Sequence, residues 1–171
     1  MIRRLRLGLL VLGVVVLQTT LFTHLRLDGV APDVGLVAVL AVAYEEGTET
    51  GVLFGLITGL VVDLFLATPL GLSALSFALT GYAVGVFQSG MVRTTPRLAP
   101  LLGGLGGLLG GLVFIGVGAM VGQSGFLSSH SLRAVLIAAA YDALIAVAIF
   151  PVARRAARSH DTSATWRVGR R

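Results

Sequence analysis

Apolar runs fill this chain almost end to end, and the connections between them are too short to build a water-facing fold. The runs cover about 7–25, 31–44, 50–67, 70–88, 98–121 and 132–152. A soluble domain covers its surface with polar side chains, and about a quarter of its residues are charged. Here only 12% are charged and 56% are hydrophobic, with a mean hydropathy of +0.93. Lipid removes that conflict, because it accepts apolar surface outside as well as inside. The expected fold is an all-α, polytopic membrane protein, a bundle of six transmembrane helices.

The first run follows Arg3, Arg4 and Arg6 and passes through Leu17-Gln18-Thr19-Thr20-Leu21-Phe22 without a small-x-small cleavage site. It reads as a retained span rather than a signal peptide. The second span is short for a crossing, which needs about 20 residues, and Pro32 suits its first turn. Glu45, Glu46 and Glu49 form an acidic turn, and Arg93, Pro96 and Arg97 a basic one.

All thirteen basic residues are arginine. With both ends cytoplasmic, the inner side collects eleven: Arg3, Arg4, Arg6, Arg93, Arg97, Arg154, Arg155, Arg158, Arg167, Arg170 and Arg171. Only Arg26 and Arg133 fall outside, the bias that sets membrane orientation. Residues 1–153 then form one transmembrane domain. Residues 154–171 form a basic cytoplasmic tail of disordered composition, suited to anionic lipid.

Several chemistries are excluded. With no cysteine there is no disulfide, thiolate metal site or cysteine nucleophile. Without lysine there is no Walker A loop and no Schiff base. The net charge of +5 does not gather on one face, as a nucleic-acid surface requires. His24, His130 and His160 fall in connections or the tail, and no motif gathers acid, base and nucleophile. The expectation is a non-enzyme with no cofactor and no bound metal.

Four features remain. Gly51, Gly55, Gly59 and Asp63 recur at steps of four, which keeps them on one helical stripe. Such a stripe admits another backbone closely, either inside the bundle or from a partner protein. Asp63, near the outer end of its span, reads either as an interfacial carboxylate paired with Arg133, Arg26 or His24, or as a buried anchor. Asp142 lies nearer mid-depth, and the reading favoured for it is a protonated carboxyl bonded to a hydroxyl or a backbone carbonyl. Gly103, Gly104, Gly106, Gly107, Gly110 and Gly111 lie in an apolar run that lacks the preceding strand of a nucleotide loop, so close packing explains them.

These residues also stand in a familiar order. Leu17-Gln18-Thr19-Thr20-Leu21 is followed by Gly29-Val30-Ala31-Pro32-Asp33. Then come Gly47, the glycine stripe with Gly59-Leu60 and Asp63, Pro69-Leu70-Gly71 with Ala74-Leu75, and Gly81-Tyr82. Over roughly residues 15–90 this order resembles the rod shape-determining protein MreD family of bacteria. The resemblance implies structural roles for Gln18, Pro32, Asp33 and Gly71, and a multi-pass protein of the bacterial inner membrane. It implies a scaffold or regulator of peptidoglycan synthesis during cell elongation that performs no chemistry itself. Its implied partners are an MreC-like single-span protein and, through it, MreB, RodA and a class B penicillin-binding transpeptidase. The family is similar in fold to the substrate-binding subunits of energy-coupling-factor transporters. A vitamin-type transporter subunit is therefore the alternative, with a polar outer pocket drawn from Gln18, Thr19, Thr20, Asp63, Thr68, Ser73 and Ser76.

Overall fold

In hydrocarbon a backbone must satisfy its own hydrogen bonds, and a helix does so within a single segment. A computed structural model describes residues 2–20, 29–65, 69–89, 99–122 and 128–158. They form six helices: α1 (Ile2–Thr20), α2 (Val34–Glu46), α3 (Thr48–Asp63), α4 (Leu72–Ser89), α5 (Ala99–Met120) and α6 (Ser129–Arg158). Among the described residues there is no β-strand. His24, Arg26, Thr68, Arg93, Pro96, Arg97 and residues 159–171 lie outside the described residues, as does the side chain of Thr19.

Three helical segments, Leu72–Ser89, Ala99–Met120 and His130–Arg155, are long and apolar enough to cross a membrane unaided. In α1 the apolar stretch Gly8–Gln18 is shorter. Three boundaries differ from the sequence reading. The helix α1 begins at Ile2, so Arg3, Arg4 and Arg6 are helical and do not merely precede the first span. The helix α6 continues through Arg154 and Arg155 to Arg158, so the first residues assigned to the tail are helical. Pro32 stands before the second helix and not in its first turn, because Asp33 caps that helix and Val34 begins it.

The short α2 is the centre of the bundle. Its 13 residues span about 20 Å, less than the ~30 Å hydrocarbon core. It is apolar all round, the pattern of a fully enclosed helix. Val34 through Ala43 are all buried, and every other helix packs against it.

Small residues set how closely the outer helices approach. On α3, a Cβ added to Gly55 would stand 2.7 Å from the Phe77 carbonyl oxygen, and one on Gly59 would strike the Ala74 backbone. Gly51 meets Ala43 of α2 and the Gly81 carbonyl, while Gly85 meets Thr48. The stripe thus lies antiparallel on a row of small residues in α4, and α4 fills it. A partner's helix has no room there, which corrects the docking reading of Gly51, Gly55 and Gly59.

The glycines of α5 divide between two neighbours. Gly103, Gly107 and Gly111 face Ala146, Asp142 and Val135 of α6, whereas Gly106 and Gly110 receive Leu40 and Leu36 of α2. Leucine rows such as Leu101, Leu105, Leu109 and Leu112 on α5, and Leu53, Ile57 and Leu60 on α3, are exposed on the outside, as a lipid-facing surface requires.

Candidate functional site

The first turn of a helix carries backbone N–H groups with no intrahelical acceptor. At the start of α2 these donors are enclosed by protein, so side chains have to meet them. Three side chains from three helices do so. The Leu36 N–H donates to Asp33 Oδ1 at 3.0 Å, the N-cap bond. The Gly35 N–H donates to Gln18 Oε1 of α1 at 2.9 Å. The Asp33 N–H donates to Asp142 Oδ1 of α6 at 2.9 Å. Pro32 is fully buried beside them and, lacking an N–H, adds no further donor. The positive end of the α2 dipole also favours the carboxylates placed there.

Asp142 is 1% exposed. Its second oxygen rests on Gly107, where an added Cβ would lie only 2.6 Å away. The bond to a hydroxyl or carbonyl expected for Asp142 is replaced by acceptance from a backbone N–H. This convergence of Gln18, Asp33 and Asp142 was missed in the sequence. Asp33 and Asp142 are 109 residues apart, and neither belongs to a shared local motif. The one local clue was an Asp directly before an apolar helix.

Asp63 performs the same task for α4. It closes α3 and accepts from the N–H groups of Gly71 at 2.8 Å, Ser73 at 3.1 Å and Ala74 at 3.3 Å. Gly71 has φ +97°, a left-handed conformation that glycine adopts without strain and that turns the chain into α4. Asp63 is 2% exposed, and its partners among the described residues are backbone donors rather than Arg133. The interfacial-carboxylate reading is corrected accordingly. The partner-interface role considered for Asp63 loses its support in the same way.

At the opposite end of α2, Arg154 Nε of α6 lies 3.7 Å from Glu45 Oε1, and the Tyr44 and Phe150 rings meet at 6.1 Å. The contacts fix the helix directions. Asp33 meets Asp142 and Glu45 meets Arg154, so α2 and α6 run parallel. Gln18 reaches Gly35 from the end of α1, so α1 runs antiparallel to both. The start of α1 and the end of α6 therefore lie at one end of the bundle.

Among the described residues no three metal-ligating side chains converge. Gln18 and Asp63, offered for a transport pocket, are bonded to backbone, and Ser73 and Ser76 are buried in the helix packing. A groove of about 550 Å3 between α1 and α6 is lined by none of the polar residues named for that pocket. The transporter alternative gains no support.

These features define an all-helical membrane protein whose described buried carboxylates hold its own helix ends. The family model for rod shape-determining protein MreD matches residues 2–156, and the chain belongs to that family. The match reaches well beyond the region of roughly 15–90 in which the resemblance was read. No curated protein and no solved structure matches the chain. Family membership gives it a role in rod shape determination.

Proposed function

We propose that this chain is a non-enzymatic scaffold or regulator of the peptidoglycan synthesis machinery of cell elongation, in the bacterial inner membrane. It crosses the bilayer six times with both ends in the cytoplasm, where most of its arginines collect. The short α2 and α3 reach across as part of the bundle, not as independent spans. The partner is an MreC-like single-span protein, which links the chain indirectly to MreB, RodA and a class B penicillin-binding transpeptidase. The membrane domain includes α6 to Arg158, and the basic residues beyond it lie against anionic lipid.

One observation carries this reading. Gln18, Asp33, Asp63 and Asp142 are each bonded to backbone N–H groups at helix starts. Polar groups used this way fix how helices are placed, and among the described residues they leave no convergent acid, base and nucleophile. The surface offered to other proteins is then the outer helix faces, displayed in a fixed arrangement.

Affinity purification of the tagged full-length chain in mild detergent tests the proposal. Recovery of an MreC-like protein in fixed proportion is expected. Recovery of an ATPase pair or a bound vitamin instead would overturn it.

A further inference from the structure

The helices α1 and α6 both hang from the start of α2, through Gln18 and Asp142. Between them lies a groove with a volume of about 550 Å3. One wall is Leu9, Gly13 and Leu17 of α1, the other is Ala148 and Val152 of α6, and Val34 lies at its base. An open-walled void of this size does not persist in hydrocarbon, because uncovered walls lose their dispersion contacts; something apolar fills the groove.

We infer that the groove binds one acyl chain of an anionic phospholipid, from the leaflet that faces the start of α1 and the end of α6. Its length fits. From Leu9 to Leu17 the wall rises about 12 Å, close to the hydrocarbon depth of a single leaflet. The character of the wall fits as well. Where helices of this protein pack on one another, they do so through rows of small residues, as in α3 on α4 and α5 on α6. The α1 wall instead has one glycine between Leu9 and Leu17, which are 59% and 44% exposed. That irregular surface suits a flexible chain better than a docked helix.

Charge names the headgroup. The α6 wall ends at Ala153, and Arg154 and Arg155 follow at once; Arg155 is exposed. Because α1 is antiparallel to α6, Arg6 stands about one turn before Leu9 and Leu10, at the same end of the groove. Arginine positions on two helices thus fall at one end of an apolar slot, the pairing of features an anionic amphiphile needs. This inference goes beyond the scaffold role and holds whether or not the MreC-like partner is found.

Native mass spectrometry of the full-length protein, titrated with phosphatidylglycerol or phosphatidylcholine, tests it. Wild type is expected to retain one phosphatidylglycerol at concentrations where phosphatidylcholine is lost. Gly13→Leu should weaken that retention about tenfold or more. Gly13 has nothing within 4 Å of an added Cβ, so the new side chain enters the groove without disturbing the helix. Leu12→Phe, outside the groove lining, should bind as wild type does. Arg6→Gln and Arg155→Gln should each weaken phosphatidylglycerol about fivefold and leave phosphatidylcholine unchanged. Equal retention of the two lipids by wild type, or full retention by Gly13→Leu, would overturn the inference. So would a photoreactive phenylalanine analogue in place of Leu17 that crosslinks to a protein helix rather than to lipid in native membranes.

Discussion

A carboxylate enclosed by protein in a membrane needs partners, and here the partners are backbone N–H groups rather than arginines. Interhelical hydrogen bonds in membrane proteins average about 0.6 kcal/mol each, so a group that makes three matters more than a group that makes one. Asp63→Ala removes three acceptor contacts and is expected to cost about 2 kcal/mol, with Asp63→Asn between it and wild type. Gln18→Ala removes one bond and should cost about 0.6 kcal/mol. Thermal unfolding in detergent checks the order; an Asp63→Ala protein as stable as wild type would remove the capping account. Glycine offers a parallel comparison. Gly107→Ala drives a methyl into Asp142, whereas Gly116→Ala meets nothing within 4 Å. The first should lower the midpoint and the second should not. Asp63 and Asp142 were visible in the sequence as rare polar residues in apolar surroundings, and Asp33 only through the family resemblance. Their partners were not, because a backbone N–H has no signature in the sequence.

The helices themselves were legible, since each apolar run became one. Their ends were less so. At the start of α2, Pro32 was read as the first turn, but the bond that the Asp33 side chain accepts from the Leu36 N–H puts the boundary after it. The four-residue glycine steps revealed a face on α3 but not what covers it; that required the matching small residues Ala74, Gly81 and Gly85 to come together from α4. A substitution pair separates the two faces of α3. Gly55→Val, set against the Phe77 carbonyl, should cost several kcal/mol because backbone cannot yield easily. Leu56→Val, at a position 43% exposed, should change stability by about 0.5 kcal/mol or less. Comparable losses from both would mean that α3 does not pack on α4 as described. The Arg154–Glu45 pair joins α6 to α2 more loosely. Its arginine side chain is 33% exposed, so Arg154→Ala should cost no more than about 1 kcal/mol.

For the whole molecule, composition pointed to the membrane and the arginine distribution to an orientation. The central place of α2 had to come from the structure, because a short apolar run reads the same whether it is enclosed or spans lipid. The chain has no native cysteine, so single-cysteine labelling is free of background. In intact cells, a membrane-impermeant maleimide is expected to label Ser128→Cys and to spare Arg158→Cys until the membrane is opened. The reverse pattern would invert the proposed orientation. The central claim is that this chain serves rod shape by holding its helices in place through the buried cluster at the start of α2. Its most direct test is cell width in a rod-shaped host that depends on this chain as its only copy, read together with the amount of protein in the membrane. Asp142→Asn keeps an acceptor for the Asp33 N–H and should preserve rods. Asp142→Leu, of similar size but with no acceptor, should give rounded cells and reduced recovery of the MreC-like partner. Rods of normal width with Asp142→Leu at wild-type levels would contradict the account.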